Sequence, residues 1–131
     1  MKKLILCLDD EKIILDSLKV QLKNALPEEY IYEFSEDAED ALEIIDEYHN
    51  EGIKILIIVS DWLMPKMKGD EFLIRVHEKY PEIVKIMLTG QADEKAITRA
   101  YKEANLYKLI KKPWEKEELI QTIKEGIGLV D

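Results

Sequence analysis

The stretch ILIIVSD at residues 55–61 decides the fold, because five apolar residues in a row lead directly into a serine and an acid. An unbroken apolar run of this length is typical of a strand buried on both faces, as in a parallel sheet. Parallel strands need crossover connections, and amphipathic helical patterns flank the run on both sides. The stretch therefore predicts an inner strand of an α/β fold, with Asp61 at its carboxyl end.

Five strand-like runs alternate with five helix-like segments. The predicted strands lie at residues 4–8, 30–34, 55–59, 84–88 and 106–110. Apolar side chains at helical spacing predict helices near residues 11–25, 38–48, 72–80, 96–104 and 119–127. Glu33 and Lys108 interrupt the second and fifth strands, which indicates that these two strands lie at the sheet edges. The order 2-1-3-4-5 has these edges, so we predict a flavodoxin-like, doubly wound (βα)5 three-layer sandwich with a parallel sheet.

Length and composition fit a single domain. The 131 residues are 47% hydrophobic and 36% charged, which is ordinary for a globular protein. We predict one domain over residues 1–131, with a core at about 3–127. The single cysteine, Cys7, suits a reducing cytosol, and no apolar run is long enough to cross a bilayer, so we expect a cytoplasmic protein. The net charge of −9, without a basic cluster, argues against direct binding to nucleic acid.

Polar side chains follow four of the predicted strands at the points where the strands end. They are Asp9 and Asp10 after the first strand, Asp61 after the third, Thr89 after the fourth and Lys112 after the fifth. Because such ends meet at one edge of the sheet, we expect three carboxylates to converge there. Converging like charges need a compensating cation, and oxygen ligands suit Mg²⁺ or Mn²⁺. A carboxylate can also carry a phosphoryl group covalently, so the pattern predicts an aspartyl-phosphate site.

The residues around these strand ends resemble those of the bacterial two-component response-regulator receiver family. The matching stretches are LDDE at 8–11, SDWLMPKMKG at 60–69, LTG at 88–90 and KPW at 112–114. Each stretch alone is a weak signal, but four in order, each at the end of the appropriate strand, are specific. The resemblance covers nearly the whole chain.

The resemblance implies a phosphoacceptor signalling switch. Asp61 would receive a phosphoryl group from a sensor histidine kinase or a phosphotransfer protein. Asp10, Asp61 and the backbone carbonyl of Leu63 would bind Mg²⁺ or Mn²⁺, and Asp9 would assist through water. We therefore expect no enzyme activity beyond metal-dependent self-phosphorylation from a phosphodonor and autodephosphorylation.

The resemblance also implies how the signal leaves the site. Thr89 and Lys112 would sense the phosphoryl group and change the surface formed by helix four, strand five and helix five. We predict a cis peptide bond before Pro113, since Lys112 must reach back across the strand ends. Many receivers have an aromatic residue three positions before the motif lysine, but this chain has Leu109, so we expect a muted aromatic switch.

The resemblance leaves the wider context of the chain open. A receiver of this kind acts on a downstream effector or on an output domain fused to it, and it can form a phosphorylation-dependent dimer. The chain therefore stands either for a whole protein or for a receiver excised from a longer regulator. The segment from Leu106 to Trp114 resembles receivers fused to signalling enzymes such as cyclic-dinucleotide phosphodiesterases.

Three alternatives share parts of this pattern. A flavodoxin-type electron carrier needs a hydroxyl- and glycine-rich phosphate loop after the first strand, where this chain has acids. A haloacid-dehalogenase-type phosphatase needs a second aspartate two residues after its nucleophile, and neither Glu11 nor Lys12 provides one. A degenerate, unphosphorylated receiver is the third alternative, although every core residue is present. We expect His49 and His77, within predicted helices, to lie at the surface.

Overall fold

The computed structural model describes residues 1–91 and 93–129, and its strands and helices alternate along the chain. In chain order the elements are β1 (Lys3–Leu8), α1 (Lys12–Ala25), β2 (Ile31–Ser35), α2 (Ala38–Asn50), β3 (Lys54–Asp61), α3 (Gly69–Lys79), β4 (Val84–Thr89), α4 (Glu94–Glu103), β5 (Lys108–Lys111) and α5 (Lys116–Gly126). The predicted alternation of five strands and five helices is confirmed. Element ends differ from the prediction by a few residues.

One such difference concerns β5, which begins at Lys108 rather than at Leu106. The backbone N–H of Leu106 donates to the carbonyl of Ala100 in α4, so it completes the end of that helix. Asn105, just before it, has a φ of 52°, a conformation that asparagine tolerates better than most residues. The chain therefore leaves α4 through a tight turn before β5 starts.

The five strands form one parallel sheet in the order β2-β1-β3-β4-β5. The strands interrupted by Glu33 and Lys108 are its two edges, so the predicted flavodoxin-like order is confirmed. On β3, the side chains of Ile57, Ile58 and Val59 are fully buried. Full burial of such a side chain contributes roughly 1.5–3 kcal/mol, which explains why an unbroken apolar run occupies the centre of the sheet.

Helices cover both faces of the sheet. Leu18 of α1 and Leu119 of α5 pack on one face, together with Ile57 of β3. Ile45 of α2 and Phe72 of α3 pack on the other face, where α4 also lies. Within residues 1–91 and 93–129, none of the helices combines the length and the apolar character that crossing a bilayer would require. The three layers leave the carboxyl ends of the strands open at one edge.

Candidate phosphoacceptor site

Four neighbouring strands bring the predicted site residues together. Asp61 is the last residue of β3 and Thr89 the last residue of β4, whereas Asp9 and Lys112 directly follow β1 and β5. These strands are adjacent in the order β1-β3-β4-β5. Since parallel strands end at the same edge, their terminal side chains meet in one crevice.

Lys112 bridges two buried carboxylates. Its Nζ lies 2.8 Å from Oδ2 of Asp9 and 3.0 Å from Oδ1 of Asp61. Asp9 is fully buried, and its Oδ1 also accepts a hydrogen bond of 2.8 Å from the backbone N–H of Glu11. A buried carboxylate is costly unless it is paired and hydrogen-bonded, and both conditions hold for Asp9.

Three carboxylates form a set of oxygen donors beside this lysine. Asp9, Asp10 and Asp61 each offer an oxygen, and these oxygens lie within 4.8 Å of one another. Asp10 is exposed, while the other two are buried. A set made only of oxygens suits a hard divalent cation such as Mg²⁺ or Mn²⁺, which keeps several waters and takes one or two carboxylates. The residues present therefore fit the predicted metal.

A cavity of about 490 Å³ opens above the site. Its walls include Asp10, Asp61, Leu63, Thr89, Gln91 and Lys112. Asp9 does not line the cavity, because Lys112 and the backbone of Glu11 cover its two oxygens. The cavity thus exposes Asp61, Thr89 and Lys112, whereas Asp9 is buried beneath Lys112.

The pKa values of Asp61 and Lys112 are both raised, but for different reasons. Burial raises the pKa of Asp61, the hydrogen bond from Lys112 partly offsets this, and the charges of Asp9 and Asp10 add to the rise. Burial alone would lower the pKa of Lys112, but its hydrogen bonds to Asp9 and Asp61 outweigh that effect and raise it. Lys112 therefore stays charged, and the cluster disfavours negative charge on Asp61 until a further cation arrives.

A family model described as "Response regulator receiver domain" matches residues 5–124 of the chain. The chain belongs to the response regulator receiver family. Receivers are phosphoacceptor switches of two-component signalling.

Individual proteins agree with this assignment. The hydrogenase transcriptional regulatory protein HoxA of Cupriavidus necator is 38% identical over 73 residues, which are 56% of this chain but 15% of that regulator. The chain therefore spans only a small part of this curated relative. The signal receiver domain of an HD domain-containing protein from Pseudomonas fluorescens Pf-5 aligns with a TM-score of 0.85 and 30% identity, over 97% of this chain and 88% of that one. A CheY-like receiver from Methanospirillum hungatei JF-1 aligns with a TM-score of 0.83 and 31% identity, over 98% and 95%.

In this receiver, Thr89 is joined to both neighbouring loops. It is buried, and its Oγ1 accepts a 3.0 Å hydrogen bond from the backbone N–H of Gln91. Its carbonyl accepts a 2.9 Å hydrogen bond from the backbone N–H of Lys112. The peptide bond between Lys112 and Pro113 is cis, as predicted. The two residues expected to sense the phosphoryl group are therefore linked through their backbones.

The loop after Asp61 returns tightly to the strand that precedes it. The backbone N–H of Gly69 donates to the carbonyl of Trp62 at 2.7 Å. A Cβ atom at Gly69 would lie only 2.2 Å from the carbonyl oxygen of Asp61, so a larger residue does not fit without movement of the backbone. This approach holds the first turn of α3 against Asp61 and leaves Leu63 at the cavity wall.

The position that is often aromatic in receivers is occupied by Leu109, which packs against the core on the α2, α3 and α4 face. Tyr107 lies outside β5, and its ring reaches α5, where a Cβ at Gly126 would meet it at 3.3 Å. Tyr107 therefore does not take the place of the missing aromatic residue beside α4.

Two features of the structure were not predicted from the sequence. His77 was expected at the surface, but it is half-buried, and its Nδ1 lies 2.9 Å from Nζ of the buried Lys85. Asp70, in the first turn of α3, is also buried and accepts a hydrogen bond from Trp62. Lys85, which interrupts the apolar run of β4, was the sequence signal that could have indicated the contact with His77. The second feature had no local signal, because Trp62 lies eight residues earlier and the other partner, Arg99, lies 29 residues later.

Proposed function

We propose that Asp61 is the phosphoacceptor of this receiver and that its donor is a sensor histidine kinase or a phosphotransfer protein. Mg²⁺ or Mn²⁺ would be held by Asp10, Asp61 and the backbone carbonyl of Leu63, with Asp9 acting through water. The observation that carries the proposal is the contact of Lys112 with Asp61 at the wall of a cavity beside two further acids.

The proposed reaction is a transfer of one phosphoryl group. A carboxylate oxygen of Asp61 forms a bond to phosphorus while the bond from phosphorus to the donor's nitrogen or acyl oxygen breaks, and the leaving group keeps that electron pair. Lys112, whose Nζ already lies 3.0 Å from Oδ1 of Asp61, neutralises one phosphoryl oxygen. The hydroxyl of Thr89 donates a hydrogen bond to another. A bound divalent cation supplies the positive charge that offsets the carboxylates and the phosphoryl oxygens. Water later cleaves the acyl phosphate, which releases inorganic phosphate and restores the Asp61 carboxylate.

The phosphoryl group would act on the surface formed by α4, β5 and α5. Thr89 precedes the loop into α4, and Lys112 precedes the loop into α5. Drawing both side chains towards a new anion shifts these loops between packed alternatives. Tyr101 and Tyr107, both more than two-fifths exposed, offer contact area for a partner on this surface. Leu109 contributes little to the switch, because it has no ring or hydroxyl.

The proposal extends to the cellular setting. We place this single receiver domain, over residues 1–131, in the cytoplasm, acting on a downstream effector or a fused output domain rather than on nucleic acid directly. The similarity to a receiver of an HD domain-containing protein supports the fused alternative. A dimer formed on phosphorylation is the remaining expectation from the resemblance.

Incubation with acetyl phosphate tests the proposal, with intact mass spectrometry as the readout. We expect one added phosphoryl group in the presence of Mg²⁺ and none with a chelator, because the acids repel the donor when no cation is bound. Asp61→Ala should remove the label. Asp16→Ala, which changes an exposed acid of α1, is the control and should be labelled like the parent. Full labelling of Asp61→Ala, or labelling that a chelator does not reduce, contradicts the proposal.

A further inference from the structure

A buried acid contacts the residue that follows Asp61. Asp70, in the first turn of α3, is only 6% exposed. Its Oδ1 accepts a hydrogen bond of 3.1 Å from Nε1 of Trp62, the residue that follows Asp61. Its Oδ2 lies 3.4 Å from a terminal guanidinium nitrogen of Arg99 on α4. One carboxylate therefore connects the residue beside the phosphoacceptor with the helix that is expected to respond.

The Trp62 end of this connection is firmly held. The indole is buried, and the Lys68 ammonium lies 4.9 Å from its ring centroid. The backbone N–H of Trp62 donates to the carbonyl of Leu88 in β4, and its carbonyl accepts from Gly69. Main chain and side chain of Trp62 are therefore both held, and its indole contacts Asp70 directly.

The Arg99 end is looser. The Arg99 side chain is 46% exposed, and its Nε also lies 3.4 Å from Oε2 of Glu103, four residues along the same helix. Arg99 therefore divides its charge between a buried carboxylate and an exposed one. An ion pair that is partly exposed and longer than an ideal hydrogen bond is weak enough to form and break reversibly. The contact of Arg99 with Asp70 is therefore the one that can change.

We propose that Asp70 is a positioning residue that couples Asp61 to helix α4 through Trp62 and Arg99, a connection that rests on the proposed phosphoacceptor role of Asp61. The coupling takes over part of the function of the aromatic residue that Leu109 replaces. A shift of the Asp61 loop changes where Asp70 presents its charge, and this changes the balance of Arg99 between Asp70 and Glu103. Coupling between two sites is reciprocal, so changes at Arg99 must alter the affinity of the phosphoacceptor site.

Beryllofluoride, a mimic of the phosphoryl group, provides the test when added with Mg²⁺ to the whole chain. Its affinity is measured by titration, and the response of α4 by amide chemical shifts. Arg99→Met should change the apparent Kd at least 3-fold and at least halve the shift changes in α4. Arg75→Met, which removes an exposed arginine of α3 paired with Glu71, is the matched control and should leave both quantities as in the parent.

The variant Asp70→Asn tests the contact with Arg99 separately from the contact with Trp62. The amide oxygen still accepts the hydrogen bond of Trp62, but the charge that holds Arg99 is lost. We expect this variant to reproduce the effect of Arg99→Met on affinity. Combining both substitutions should add little, since both remove one contact. A merely structural role would lower the melting temperature without this shared, non-additive change in affinity.

The outcomes distinguish the two proposals. Failure of the parent to bind beryllofluoride would overturn both the phosphoacceptor role and the coupling. Binding by the parent together with parent-like affinity and α4 response in Arg99→Met overturns the coupling alone. Additive effects of Asp70→Asn and Arg99→Met also overturn it, because residues of one connection cannot act independently.

Discussion

Two lysines are drawn into the interior at opposite ends of the sheet, and their surroundings differ in charge. Lys112, at the carboxyl end, faces the carboxylates of Asp9 and Asp61. Lys85, near the amino end of β4, is 1% exposed and donates to the carbonyl of Ile83 at 2.8 Å. Its other close partner is Nδ1 of His77. Since an ammonium only donates, Nδ1 must accept, and the His77 proton belongs on Nε2.

The difference appears in the pKa values. That of Lys112 is raised, because its hydrogen bonds to carboxylates outweigh burial. Burial lowers the pKa of Lys85 to about 8, with a small opposing effect from Glu82. Burial and the Lys85 charge together lower the pKa of His77. The carboxylates around Lys112 keep this lysine charged, and a new anion can draw it away from them. The neutral groups around Lys85 leave its charge uncompensated, which lowers the stability of the folded protein. The arrangement around Lys112 suits a side chain that moves during signalling, whereas the arrangement around Lys85 suits a fixed structural role.

The largest expected effect comes from removing the ionic arrangement. Lys112→Met leaves Asp9 buried without its cation, and removal of one partner of a buried pair costs roughly 3–5 kcal/mol. We expect this loss in the free energy of unfolding, measured by urea denaturation without divalent metal. Mg²⁺ should stabilise the variant more than the parent, since a cation would replace the missing charge. A loss below about 1 kcal/mol, or no recovery with Mg²⁺, would mean that Lys112 does not balance these acids.

A smaller effect of opposite sign is expected from Asp61→Asn. The raised pKa of Asp61 shows that the folded protein disfavours its charge, so a neutral residue should stabilise the metal-free protein at neutral pH. Two unit charges 4 Å apart repel by about 4 kcal/mol at an effective dielectric constant near 20, and Lys112 offsets part of this, so we expect a gain of about 1–2 kcal/mol. Thermal melting would detect it, with Asp16→Asn as the exposed control. A variant that melts at or below the parent temperature argues against convergence of the acids.

The smallest effect concerns Lys85 and depends on pH. Its pKa is about 8 in the folded protein and near 10.4 in the unfolded chain. Between these values the unfolded state binds the extra proton, so stability rises with pH. In Lys85→Met this contribution is absent. The parent should therefore gain on the order of 1 kcal/mol relative to the variant between pH 8 and 9. A difference that does not change with pH would show that folding does not lower the pKa of Lys85.

The sequence was sufficient for the sheet and for most of the site because both follow local rules. Apolar runs marked the inner strands, Glu33 and Lys108 marked the edges, and polar residues at strand ends marked the crevice. These patterns can be read within a few residues of the chain. The backbone geometry of a parallel sheet then brings the strand ends together without further information.

The features that were missed depend on how the elements pack against one another. Lys85 interrupts an apolar strand, and only the position of α3 shows that His77 accepts its hydrogen bond. Arg99 and Asp70 are 29 residues apart, and each reads as an ordinary charged residue of a helix. Their contact follows from the packing of α3 against α4, for which the sequence carries no local pattern.

The most direct measurement maps the modified residue after acetyl phosphate treatment in Mg²⁺. Borohydride reduction converts an aspartyl phosphate into homoserine, and peptide mass spectrometry then locates the conversion. We predict conversion at Asp61 alone, with Asp9 and Asp10 unchanged, because Lys112 contacts Asp61 at the cavity wall while Asp9 lies behind it. Conversion at Asp9 or Asp10, or none at Asp61 in a protein whose mass shows a phosphoryl group, would contradict the account.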